Sequence, residues 1–210
     1  GKPVKDYLKA MSIRLAKILI NLSQAKENSL LLDPFCGTGV ILQEALLGNI
    51  NVIGVDIEKE SADASRKNLE WLGKNYKIIN KWKIIQGDSR NINKFVNEQV
   101  DNIVTEPYLG PYVRKLPTVH EASKVVHQLK QDYLIFLRNV RSLLKDNGKI
   151  VIITPRFKTI EHKQIYFNFE EILRETGFEV YNIFPEIRIP ITYATPENKI
   201  IREIYILKKA

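Results

Sequence analysis

The sequence predicts an α/β fold, one mostly parallel sheet with helices on both faces, and three observations predict it. Apolar strand-like runs alternate with helical patterns along most of the 210 residues, the pattern of successive βαβ units. The early runs "SLLLD", "NVIGVD" and "VDNIVT" are nearly continuous in apolar character, as strands buried on both faces must be. The last two runs, "FEVYNIF" and "IIREIYILKK", follow each other with no helix between them, so an antiparallel pair is expected at one edge.

Taken in order, a helix over about 9–24 comes first, with Ile13, Ala16, Leu19 and Ile20 at helical spacing in "MSIRLAKILINLSQ". A strand over 29–33 leads through a Gly-containing turn into a helix over 39–48, stopped by Gly48. The strand 51–56 precedes a polar helix, "EKESADASRKNLEWLG", in which Gly73 is expected at the C-cap. Strands follow at 82–88 and 100–105, then a long helix over about 120–146 that ends at Asn147-Gly148. A fifth strand over 149–154 and a helix from about 167 to Thr176-Gly177 precede the closing pair. There is no internal repeat and no linker rich in Pro, Gly or Ser, so residues 1–210 read as one compact domain.

Composition narrows the setting. With 44% hydrophobic and 27% charged residues the chain has the make-up of a globular protein. No apolar run approaches the roughly 18 to 20 residues that span a bilayer, and the first thirty residues lack a secretory signal's apolar block. A single cysteine, Cys36, rules out an internal disulfide framework, and three scattered histidines have no zinc spacing. A reducing cytoplasm, no membrane and no metal are the expectations. A chain that opens on Gly1 instead of Met is compatible with a fragment or a processed form. Of the net charge of +8, a net of +7 lies in residues 114–163, which hold 11 basic and 4 acidic side chains. That excess suits either a solvated helix face or a surface for a polyanion.

The strongest local signal is "LLDPFCGTGVIL". A strand ends in Asp33, and Gly37 and Gly39 let the backbone of the turn pass close to a ligand where a Cβ would collide. Related turns hold a pyrophosphate at a helix N-terminus. This one lacks the third glycine of that fingerprint and is preceded by an acid, which repels phosphate and suits a cationic, amine-bearing ligand. Asp56 ends the next strand 19 residues after Gly37, near the spacing at which an acid meets ribose hydroxyls. Asp88, in "GDSRNI", ends the third, where a carboxylate accepts from an adenine amino group or simply caps the turn that follows. Three acids at successive strand ends describe a nucleoside with a cationic tail and no phosphates.

On "DPFCGTG", "GVDIEKES" and "GDS", over nearly the whole chain, the sequence resembles the class I S-adenosylmethionine-dependent methyltransferases. It is most similar to the methyltransferase domain of the THUMP-associated tRNA guanine-N2 methyltransferases, in which a helix like "MSIRLAKILINLS" precedes "LLDPFCGTG". The resemblance implies a Rossmann-like seven-stranded sheet in the order 3-2-1-4-5-7-6, with strand 7 antiparallel. It implies S-adenosyl-L-methionine as cofactor, with Asp33 and the Gly37–Gly39 turn at its methionine part, Asp56 at the ribose, and Asp88 with Ser89 at the adenine. Phe35 and Ile57, inside the same motifs, count with the cofactor-binding residues.

The fourth strand then acquires a meaning. "NIVTEPYLGP" ends in Thr105, Glu106, Pro107 and Tyr108, and the implied sheet order sets these residues beside the cofactor turn. An exocyclic amine of a nucleobase is a poor nucleophile because its lone pair is delocalised, so an enzyme must supply acceptors for its N–H groups. The family meets this need with an Asp-Pro-Pro-Tyr-type motif, whose aromatic ring stacks on the base. Here Pro107 and Tyr108 match, whereas Thr105 stands in place of Asp or Asn and Glu106 in place of the first proline. Beyond it, "LGPYVRKLPTVHEASK" brings Tyr112, Arg114 and Lys115, an aromatic among cations suited to a base and its phosphates. Arg156 is expected to extend that surface. Cys36 lacks the partners of a nucleophile and reads as a small packing residue.

These readings converge on a methyltransferase for the N2 amine of guanosine in tRNA or another structured RNA. A DNA adenine-N6 or cytosine-N4 methyltransferase shares the same catalytic logic, and a catalytically degenerate cofactor-binding subunit would account for "TEPY". No THUMP-type RNA-binding domain is recognisable in this chain, so a separate or removed N-terminal domain is expected to supply tRNA binding.

Overall fold

The computed structural model describes Pro3 and residues 11–111 and 115–210. Its sheet is assembled from β1 (Leu30–Asp33), β2 (Asn51–Asp56), β3 (Trp82–Gln86), β4 (Val100–Thr105), β5 (Leu144–Lys158), β6 (Gln164–Ile165), β7 (Phe178–Val180), β8 (Ile191–Tyr193) and β9 (Ile200–Lys209). The helices are α1 (Ile13–Ser23), α2 (Val40–Leu47), α3 (Lys59–Asn75), α4 (Val119–Val140) and α5 (Phe169–Thr176). A 3-10 turn spans Ser89–Lys94.

Seven strands run in the order β3-β2-β1-β4-β5-β9-β7, the expected order once β7 and β9 are matched to the two closing strands. Strands β1 to β5 are parallel, with Leu31 beside Val52 and Leu32 beside Ile103. β9 runs antiparallel to both β5 and β7. The anticipated closing pair therefore forms, with β9 inside the sheet and β7 at its edge, as that order implies. Two short strands were not anticipated: β6 turns back on the end of β5, and β8 pairs with β9 next to β7.

The near-continuous apolar strands are explained by a core on each face. Leu32, Ile103, Ile150 and Ile152 face α4 and α5, whereas Leu31, Val104, Val151 and Ile153 face α1 and α2. Successive strand residues point to opposite faces, so both must be apolar. α1 is capped by Ser12, whose Oγ accepts from the Leu15 N–H, and it is tied to the sheet where Asn102 Nδ2 donates to Ser23 O at 2.7 Å. α4 starts with a capping box between Thr118 and Glu121.

Two helix ends differ from expectation. α3 runs through Gly73 and stops at Tyr76, an extended residue, because a glycine with open space around it is tolerated inside a helix. α4 ends at Val140, and Asn147-Gly148 lie within β5 beside a register shift against β4. Leu143 and Leu144 are buried there as part of the core, so the sheet claims residues whose local signal was a helix stop. Among the described residues no helix is long and apolar enough to cross a membrane.

Candidate functional site

Parallel strands carry their C-terminal ends to one edge of the sheet, and β1 to β4 bring their terminal residues together there. Two adjoining hollows result. The larger, about 290 Å³, is lined by Phe35, Asp56, Ile57, Asp88, Ser89, Pro107 and Tyr108, with Arg90 at its rim and Leu129, Asp132, Tyr133 and Phe136 of α4 behind it. The smaller, about 180 Å³, is lined by Asp33, Phe35, Gly37, Thr38, Ser61 and Glu106, with Met11 beside them. Phe35 belongs to both and is held edge-on by Phe136, with ring centroids 5.2 Å apart.

The turn between β1 and α2 is shaped by two glycines for different reasons. Gly37 has φ +51°, and an added Cβ would meet nothing within 4 Å, so its backbone faces open space. Gly39 has φ +80°, and a Cβ there would come within 2.5 Å of Ser65 Oγ on α3. Gly39 lines neither hollow; it lets α2 start against α3. Gly39→Ala is expected to cost about 1 to 3 kcal/mol of unfolding free energy through strain at positive φ and this clash. Adding Ser65→Ala should recover the clash part alone, and denaturant unfolding of the single and double variants measures both. An unaltered midpoint in Gly39→Ala would refute the packing role.

The three strand-end acids have different surroundings. Asp33 is 1% exposed; its Oδ1 accepts from Thr105 Oγ1 at 2.7 Å and from the Phe35 N–H at 3.2 Å. Burial pushes its carboxyl up to about 7, against the pull of those two donors, with Asp56 and Glu106 adding to the rise. Asp56 accepts from the Gly37 N–H at 2.8 Å and the Glu58 N–H at 2.9 Å, fixing the β1 turn to the end of β2. Burial raises its carboxyl too, with the Glu58 and Gly37 amides opposing. Asp88 caps the 3-10 turn and is gripped by the Arg90 guanidinium at 2.8 to 3.1 Å. That grip holds its carboxyl below the usual range. Burial pushes the Cys36 thiol well up, with Asp33 and Asp56 adding to it, in keeping with a packing residue.

At the end of β4 the four residues face different ways. Thr105 is fully buried and donates its hydroxyl to Asp33. Glu106 turns to Arg202 of β9, which donates from Nε at 3.0 Å and from Nη2 at 2.9 Å. Pro107 is buried in the wall of the larger hollow, and Tyr108 stands over it with 61% of its surface exposed. The side chains of Thr105 and Glu106 are thus directed to Asp33 and Arg202, while Pro107 and Tyr108 border the open cleft.

Of the expected polyanion surface, Tyr112 and Arg114 lie outside the described residues. Lys115 borders a separate groove with Pro111, Leu116 and Phe157. Arg156 is not brought to either hollow: its guanidinium pairs with Glu203, bonds Gln164 Oε1 and lies 4.7 Å from the Tyr166 ring centroid. The charge excess of 114–163 is also tempered by acids from outside it, since Lys130 meets Glu171, Arg138 meets Glu175 and Lys145 meets Asp101.

Sequence reasoning missed Arg90, Arg202 and the α4 wall. Leu129, Tyr133 and Phe136 recur at helical spacing, a readable signal for a buried face. Arg202 is 96 residues from Glu106, and nothing local marks it.

Comparison with known proteins agrees with this geometry. The profile of the family described as RMKL-like, methyltransferase domain matches residues 4–172. The tRNA (guanine(10)-N2)-dimethyltransferase of Methanothermobacter thermautotrophicus is 36% identical over 155 residues, 74% of this chain and 41% of that protein. The protein of the same name from Methanocaldococcus jannaschii is 34% identical over 147 residues, 68% of this chain and 37% of that one. The chain thus spans about two fifths of the length of these curated relatives. Among solved structures, TrmN from Thermus thermophilus superposes with a TM-score of 0.67 at 20% identity, covering 97% of this chain and 51% of that one.

Proposed function

Because the chain belongs to the RMKL-like methyltransferase domain family, we propose that it transfers a methyl group from S-adenosyl-L-methionine to an exocyclic amine of a nucleobase. The names of its curated relatives favour N2 of guanosine in tRNA. One observation carries the reading: Pro107 and Tyr108 at the end of β4 border the same cleft as Asp56, Ile57, Asp88 and Ser89. An acceptor base and a nucleoside cofactor thereby share one space.

The residues fit the cofactor. The open face of Gly37 and the buried Asp33 suit an ammonium-bearing tail in the smaller hollow. Asp56 suits ribose hydroxyls, Asp88 and Ser89 suit the adenine edge, and Ile57, 59% exposed, offers an apolar face for the ring. When bound, S-adenosylmethionine supplies an electrophilic methyl group on a sulfonium. The chain's own part is to hold and aim the base. Tyr108 stacks on it, Pro107 fixes the turn without adding a competing N–H donor, and backbone carbonyls at Thr105 and Glu106 accept the amine N–H groups. Thr105 acts by fixing Asp33 against the end of β4. A base flipped out of its helix or in a single strand suits such a cleft.

Lys115, with Tyr112 and Arg114, is assigned to RNA phosphates and bases near the cleft. Further tRNA binding is assigned to an N-terminal RNA-binding domain, attached or separate, because the relatives are much longer than the matched region. The working compartment is the cytoplasm. Residues 1–210 alone should therefore bind cofactor well and tRNA weakly, and tight tRNA binding by them would contradict the division. A degenerate subunit is the second reading, favoured by the engagement of Thr105 with Asp33 and of Glu106 with Arg202. Transfer of isotopically labelled methyl to unmodified tRNA and to DNA, followed by nucleoside mass analysis, decides. Label in N2-methylguanosine is the expected result. Label in a DNA base moves the acceptor to DNA, and no label with cofactor binding intact favours the second reading.

A further inference from the structure

Resting on the cofactor reading above, we infer that Glu106, oriented by Arg202, is a second carboxylate for the ammonium group of an amino-acid-bearing ligand in the smaller hollow. Four observations carry this. Glu106 lines that hollow with Asp33, Gly37 and Ser61, and it does not line the cleft that holds Tyr108. Its carboxylate is fixed by two donors of one guanidinium, a planar fork that sets orientation as well as charge. Each of its oxygens keeps acceptor capacity for a further N–H. Finally, Asp33, Glu106 and Arg202 together carry one net negative charge when ionised, which a single ammonium balances. Thr105 and Glu106, consecutive residues of β4, then both serve the ligand's tail, one through Asp33 and the other directly.

Glu106 is accordingly a binding residue and Arg202 a positioning residue. Neither side chain is reserved for the acceptor base, so the side chains of the first half of "TEPY" belong to the cofactor end, while its backbone carbonyls and the second half serve the base end.

Calorimetric titration at pH 8 with three ligands tests this. S-adenosylhomocysteine carries ammonium and carboxylate, its decarboxylated amine analogue carries the ammonium alone, and 5′-methylthioadenosine carries neither. Glu106→Gln, which keeps an acceptor toward Arg202, is expected to weaken the first two by roughly tenfold, about the worth of one hydrogen bond to a charged group, and to leave the third unchanged. Arg202→Lys, which keeps the charge and loses the fork, should show the same pattern at smaller size and stands in if Glu106→Gln does not fold. Equal losses on all three ligands, a loss on S-adenosylhomocysteine alone, or no loss at all would overturn the assignment. A wild-type protein that binds none of the three would instead refute the cofactor reading on which it stands.

Discussion

Asp33→Asn should make the ligand-free protein more stable at pH 8 and, in the same tube, weaken its binding of S-adenosylhomocysteine at least tenfold. Asp33 is buried and its carboxyl titrates near 7, against 3.8 for an ordinary aspartate. Between those values the folded chain holds a proton that the unfolded chain releases, so wild-type stability from this group is greatest at low pH and is lost as pH rises through about 7. Above that, the fold carries a buried charge whose cost is on the order of 2 to 4 kcal/mol, since each tenfold change in proton affinity is worth about 1.4 kcal/mol. Asparagine keeps an acceptor for Thr105 and carries no charge, so at pH 8 the melting temperature should rise by several degrees, at about 2 to 4 °C per kcal/mol for a chain of this size. At pH 5 the gap should be clearly smaller, and it closes only near pH 3.8, where the unfolded chain also keeps its proton. The ligand trend runs the other way: wild-type affinity for S-adenosylhomocysteine should fall as pH drops below about 7 and Asp33 takes up its proton, while 5′-methylthioadenosine, lacking the ammonium, should not follow. Thermal melts and titrations across pH 5 to 8 check both halves, and a destabilised Asp33→Asn at pH 8 would contradict the first.

Tyr108→Ala should leave S-adenosylhomocysteine binding within about twofold and reduce methyl transfer to RNA by between about five- and 150-fold in kcat/KM, the range expected from the 1 to 3 kcal/mol of base stacking on an aromatic ring. Tyr108 is exposed over the cleft, and among the described residues none is hydrogen-bonded to its side chain, so its loss should leave the melting temperature unchanged. Tyr108→Phe should retain most of the activity, because the ring and not the hydroxyl does the stacking. Parallel loss of cofactor affinity would move Tyr108 to the other end of the cleft, and unaltered transfer in Tyr108→Ala would remove it from the base site.

The parallel core and the glycine turn after β1 were legible because local chemistry determines them. Asp33 and Asp56 end strands and Asp88 closely follows one, each after an apolar run visible in the sequence, and the parallel sheet then has to gather those ends at one edge. The edge strands were less legible. β6 and β8 are two and three residues long and exist only because β5 and β9 offer unpaired backbone beside them, a fact of tertiary structure. The placement of "TEPY" was only half readable. Pro107 and Tyr108 follow from residue type, whereas the direction of Thr105 and Glu106 depends on partners 72 and 96 residues away. Arg156 shows the same limit from the other side: a cation at a strand end looks free until Glu203 is placed beside it.

The place of β9 has a consequence for how the protein is born. It lies between β5 and β7, both of which leave the ribosome before it, so the sheet holds an open slot until residues 200–209 emerge. A nascent chain at that stage has its β1 turn and its β4 end, and Glu106 has no guanidinium to meet. The smaller hollow therefore acquires its Glu106–Arg202 pair only once β9 is in place, late in synthesis.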